Sequence, residues 1–118
     1  MTLQLYHNPR CSKSRQTLAL LRQHGINPEI VEYMKSPPSP DTLKAIVKKL
    51  DFDSARQLMR TKEDVYKELG LKDVTDEDAL LKAMSENPKL IERPIAINGE
   101  RAALGRPPEN VLDVAALR

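Results

Sequence analysis

Apolar and polar residues alternate from Leu3 to His7, and the run stops at Asn8-Pro9, so the pattern predicts a short strand there. The period then lengthens. Ser14 to His24 carries Leu18, Leu20 and Leu21, which predicts a helix, and Gly25 supplies the left-handed stop expected just past its end. Glu29 to Tyr33 returns to a strand pattern. A β-α-β unit with so tight a helical crossover implies parallel strands.

Past the Pro-rich linker Ser36–Pro40 the pattern becomes helical for some fifty residues. Ser39 reads as an N-cap with Pro40 at the first helical position, and Leu43, Ile46, Val47 and Leu50 form one apolar stripe. Asp53 to Glu86 reads as several helical pieces. Ala55 goes with Leu58 and Met59, Val65 with Tyr66 and Leu69, and Leu80 with Ala83 and Met84. Gly70 ends one piece, Thr75 with Asp78 caps another as a variant capping box, and Asn87-Pro88 closes the last. Then "PIAI" and "RAAL" predict two strands joined at Asn98-Gly99, a strong hairpin signal. A final helix is expected over 108–117, with Val111, Leu112 and Ala115 on one face.

The order β-α-β, helical insert, β-β-α predicts an α/β fold: a four-stranded mixed sheet with flanking helices and an insertion at about 39–87. That plan resembles a thioredoxin-like domain, here a single one over 1–118.

Composition narrows the function classes. The 118 residues suffice for one core, and 19 basic against 17 acidic residues leave no basic stripe of the kind nucleic acid requires. The N-terminal apolar run is too short for a signal peptide, and no stretch has the length and apolarity to span a bilayer. Apolar surface residues look scattered, which makes monomer the default expectation. One cysteine excludes an internal disulfide and a multi-cysteine metal site, so no metal is expected, and a reducing compartment, the cytoplasm, is.

That cysteine, Cys11, falls in the turn between the first strand and the first helix, with His7, Arg10, Lys13 and Arg15 around it. In an open α/β sheet, ligands bind beyond the carboxyl ends of strands. A helix N-terminus offers unpaired N–H groups that lower a thiol's pKa and hold an oxyanion. Ser14 stands where dithiol oxidoreductases carry a second cysteine, so a covalent adduct on Cys11 needs an external thiol, glutathione or a small redox protein, for release.

"YHNPRCSKSRQTL" (Tyr6–Leu18), "RTKEDVYKELGL" (Arg60–Leu71), "NPKLIERPI" (Asn87–Ile95) and "LGRPPENVLDV" (Leu104–Val114) together resemble the glutaredoxin-linked arsenate reductases, from about Leu5 to Val114. The resemblance implies that Cys11 is the nucleophile that attacks arsenate and His7 its activating histidine. Arg60, Arg93 and Arg106 would bind the oxyanion, Ser14 would direct its hydroxyl toward the sulfur or the anion, and Asn8 and Pro94 would shape the site. Pro94 would be cis and face the cysteine. Glutathione would be a co-substrate rather than a bound cofactor: it attacks the adduct, glutaredoxin removes it, and arsenite leaves. Arginine suits the role independently, because its planar fork binds oxyanions bidentately and keeps its charge when desolvated.

Two other functions fit parts of the pattern. A monothiol glutathione-dependent disulfide oxidoreductase would share the thiol chemistry. A non-enzymatic, Spx-like regulator that binds RNA polymerase would share the fold, but such sensors typically pair two cysteines, and Ser14 occupies the second position.

Overall fold

The computed structural model describes residues 3–115. They form two compact units, one from residues up to Ser36 together with those from Arg93 onward, the other Pro37–Glu92.

In the first unit, strand β1 (Gln4–Tyr6) leads through a turn into helix α1 (Ser12–Gln23), then strand β2 (Glu29–Val31). Strands β3 (Ile95–Asn98) and β4 (Arg101–Leu104) and helix α5 (Asn110–Ala115) complete it. The sheet order is β2-β1-β3-β4, with β1 parallel to β2 and antiparallel to β3. β3 and β4 are antiparallel. This is the mixed four-stranded sheet that the sequence pattern predicts. Leu3, Leu5 and Ala96 project from one face into a core with Leu21 of α1 and Val111 and Val114 of α5. On the other face Tyr6, Ile95 and Ile97 are buried as well.

Gly25 ends α1 as expected, at φ 75°. Its amide donates to the Arg22 carbonyl and that of Ile26 to the Leu21 carbonyl, which is a Schellman motif with Ile26 packed on the core. β2 is shorter than expected. Tyr33 lies in the following turn, where its ring is fully buried. The hairpin is displaced by one residue: Asn98 pairs with Arg101 inside the sheet, and its buried side chain donates to the Val114 carbonyl at 3.0 Å. The turn is therefore Gly99-Glu100. Only Gly99 takes a positive φ (60°), the signature of a type II′ turn. The last helix starts at Asn110 rather than residue 108; Leu117, its expected end, lies outside the described residues.

The second unit is helical: α2 (Pro40–Lys49), α3 (Asp64–Glu68) and α4 (Glu77–Glu86), with 3₁₀ turns at Ala55–Leu58, Leu71–Asp73 and Pro88–Leu90. Leu43, Ile46, Leu58, Leu80, Met84, Leu90 and Ile91 form its fully buried apolar positions. Ser39 caps α2, its side chain accepting from the Thr42 amide at 3.1 Å, with Pro40 opening the helix. The cap of α4 is Asp76, not Thr75: the Asp76 carboxylate accepts from the Asp78 amide at 3.2 Å. A capping box needs Glu or Gln to reach back, and Asp78 is one carbon short. Leu69 is half exposed, because α3 ends at Glu68 and its apolar stripe has room only for Tyr66. Arg56 ties this unit together, donating to the Tyr66 hydroxyl and to the Leu71 and Val74 carbonyls.

Candidate active site

The turn from β1 to α1 is built by Asn8. Its side-chain oxygen accepts from the Arg10 amide at 3.0 Å, and its carbonyl accepts from the Cys11 amide at 2.9 Å. Asparagine favours such Asx turns because its short side chain mimics a backbone carbonyl. Cys11 thereby becomes the N-cap of α1, with extended backbone (φ −94°, ψ 125°), and its partly exposed sulfur faces the open end of the helix. Its pKa is lowered. Burial pushes it up, but this is outweighed by the Ser14 N–H, by a hydrogen bond and the charge of the Arg93 guanidinium, and by the Lys13 N–H. A second guanidinium is at hand: Arg106 Nη2 stands 3.8 Å from the sulfur, while its Nε donates to the Arg93 carbonyl at 2.8 Å. The two arginines are thus held in register by their own backbone.

Ser14 is fully buried. Its hydroxyl accepts from the Asn8 amide at 3.0 Å and lies 2.7 Å from His7 Nδ1. A buried hydroxyl needs an acceptor for its own proton, and Nδ1 fills that need when His7 carries its proton on Nε2. The His7 pKa is lowered, chiefly by burial, with Glu32 opposing and Arg22 and Arg15 adding to the shift. Near pH 7 the ring is neutral, so it brings no positive charge to the thiol, and its hydrogen-bond contact is with Ser14.

The Arg93-Pro94 peptide is cis, as the resemblance implies, and Arg106-Pro107 is cis too. The two turns are pinned together: the Gly105 amide donates to the Pro94 carbonyl at 2.9 Å. Cys11, His7, Asn8, Ser14, Arg93, Pro94 and Arg106 all belong to the first unit. Arg60 belongs to the second, where Glu63 and Glu92 pair with its guanidinium at 3.2 and 3.4 Å. Among the described residues no group of three or more His, Cys, Asp or Glu side chains has the arrangement of a metal site.

The model of the ArsC family matches residues 6–114. The chain belongs to the ArsC family. It is 52% identical over 115 residues to a protein named arsenate reductase from Haemophilus influenzae, covering 97% of this chain and 99% of the relative. It is 53% identical over 113 residues to the uncharacterized protein YfgD of Escherichia coli K12, covering 95% of each. The solved structure of the arsenate reductase from Vibrio cholerae superposes with a TM-score of 0.93 at 50% identity, over 97% of this chain and 98% of that one.

In this ArsC-family chain Gly105 and Thr17 are site-supporting residues that the sequence pattern does not single out. A Cβ on Gly105 would lie 2.6 Å from Pro94 Cγ and 2.6 Å from Thr17 Oγ1, too close for any side chain without displacement. Thr17 is fully buried in α1, its hydroxyl donating to the Lys13 carbonyl at 2.8 Å. The one available signal is a glycine immediately before the Arg-Pro-Pro turn. Gly105→Ala is expected to cost about 1–3 kcal/mol of stability, as overpacking does. A chemical denaturation midpoint equal to that of the wild type would contradict the close approach.

Proposed function

We propose that this chain is a thiol-dependent arsenate reductase whose nucleophile is Cys11. The observation that carries the reading is the lowered pKa and helix-cap position of that thiol beside two guanidiniums, in a chain half identical to proteins named arsenate reductase. An activated sulfur is of use only if the incoming oxyanion is neutralised while the S–As bond forms, and Arg93 and Arg106 supply that charge. His7 acts through Ser14: by holding the buried hydroxyl it fixes the first turn of α1, whose N–H groups stabilise the thiolate. Asn8 and Pro94 shape the turns on which Cys11 and Arg93 stand. Arg60 enters the proposal through its sequence motif.

The chemistry balances with thiols as the only reductant. The Cys11 sulfur bonds to arsenic, one As–O bond breaks, and the oxygen leaves as water on protonation, with arsenic still As(V). A glutathione thiolate then attacks the Cys11 sulfur. The S–As bond breaks, its electron pair stays on arsenic, and As(III) departs as arsenite, leaving a Cys11–glutathione disulfide. A glutaredoxin thiolate takes the glutathione and returns Cys11 as thiolate. With one cysteine in the chain these partners come from outside it, which suits a monomer working as a single domain in the reducing cytoplasm.

The test is arsenate-dependent NADPH oxidation with glutathione, glutaredoxin and glutathione reductase supplied. A saturable rate is expected. No rate at any arsenate concentration, with faster turnover of a glutathionylated peptide, would make the chain a disulfide oxidoreductase instead.

A further inference from the structure

Arg60 stands on a segment tied down from both sides. Its amide donates to the Leu90 carbonyl at 2.7 Å, and the Glu92 amide donates to the Leu58 carbonyl at 2.8 Å. Between these bonds Met59 and Ile91 form an isolated antiparallel bridge, and both are buried. That register makes Arg60 and Glu92 diagonal neighbours across the bridge, within reach of long side chains. Arg60 also opens a turn. Its carbonyl accepts from the Glu63 amide at 3.2 Å, which brings Glu63 back beside it. Glu63 is the N-cap of α3, a position where Ser, Thr, Asp or Asn would bond the helix. Its carboxylate makes no cap bond and instead accepts from Arg60 Nε at 3.2 Å, while Glu92 accepts from Nη1 at 3.4 Å.

The two carboxylates thus take different nitrogens of one guanidinium. Among the described residues Nη2 makes no hydrogen bond, and the side chain is 24% exposed. Pairs this open add little to stability, so stability does not account for them. We infer that Glu63 and Glu92 are positioning residues: they hold Arg60 by Nε and Nη1 so that its Nη2 end is presented to the oxyanion. This rests on the reading of Arg60 as one of the anion-binding arginines. A long side chain that is free to rotate loses entropy at each binding event, and one already held loses less. Glu92 is followed directly by Arg93, whose guanidinium bonds the Cys11 sulfur, so the residue that holds one arginine adjoins another in the chain. Two carboxylates against one guanidinium also repel an anion. Orientation and repulsion are separable by substitution, because glutamine keeps the accepting oxygen without the charge and alanine removes both.

The test is protection of Cys11 from iodoacetamide, read as the arsenate concentration that halves the alkylation rate of the full chain. Glu92→Ala and Glu63→Ala are each expected to raise that concentration about fivefold, the scale of ordering one long side chain. Glu92→Gln and Glu63→Gln are expected to bind at least as tightly as the wild type, since the amide oxygen still accepts from Arg60 and the repulsion is gone. In an Arg60→Ala background the same alanine changes should weaken binding no further, because nothing is left to position. Binding as tight as the wild type or tighter in both alanine variants would mean that the carboxylates do not aim Arg60 or compete with the anion for it, and would overturn the proposal. Weakening that persists undiminished without Arg60 would do the same. The Glu63 variants leave the Leu58–Glu92 bond untouched, so they decide the matter if Glu92→Ala fails to fold. Wild-type protection unaffected by Arg60→Ala would remove Arg60 from the site and this role with it. No protection of the wild type at all would sink the oxyanion reading of Cys11 itself, and the positioning role with it.

Discussion

Cys11→Ser is expected to lower arsenate-dependent turnover by about 10⁴-fold or more, because a serine hydroxyl is un-ionised at neutral pH and has no adjacent base to activate it. The fold should survive, since the hydroxyl can occupy the same N-cap position and serine is a favoured capping residue. A second consequence separates thiolate chemistry from mere packing. The folded thiol has a lowered pKa, so the folded chain binds fewer protons than the unfolded one wherever the two titrate apart. The resulting stabilisation is present above the ordinary thiol value of about 8.5 and is lost as pH falls through the folded value. The serine variant should lack this rise in stability with pH. Stability–pH curves that superpose for the two proteins, or a variant retaining a tenth of wild-type turnover, would contradict the role.

Arg93→Ala is expected to cost about 10²–10³-fold in kcat, the usual scale for losing one charged donor at a developing anion. Arg93 both hydrogen-bonds the Cys11 sulfur and places charge beside it, so its removal should also raise the thiol pKa. The two effects are separable. At high pH, where the thiol ionises unaided, part of the rate should return, and the remaining deficit measures oxyanion stabilisation. A variant with wild-type kcat and an unshifted thiol would place Arg93 outside the chemistry. Arg93→Lys should recover charge but not the fork geometry, and so only a fraction of the loss.

Much of this arrangement is legible in the chain, and the failures have physical causes. β1, α1 and the parallel β2 follow from periodicity and Gly25, and Cys11 at the start of α1 follows from their order. The hairpin shifts by one residue because Asn98 is held by a tertiary contact, its amide to the Val114 carbonyl, which no local signal carries. The cap of α4 moves from Thr75 to Asp76 because two adjacent capping residues compete and only geometry decides between them. At the site, the sequence places Cys11 in the turn before the predicted helix and Ser14 at its start, whereas α1 begins at Ser12 with Cys11 as its cap. The sequence does not show that the Ser14 hydroxyl turns back to His7, seven positions earlier in the chain. Close approach is likewise invisible: Gly105 looks like a turn glycine, and only the neighbouring Pro94 and Thr17 atoms reveal why a side chain is excluded.

The proposed function stands on an activated thiolate that receives an oxyanion. Alkylation of Cys11 as a function of pH, with and without arsenate or sulfate, measures both parts at once. A midpoint well below the ~8.5 of an ordinary thiol is expected, with protection of the sulfur by either anion. A midpoint at or above that value, with alkylation indifferent to anion, would contradict it.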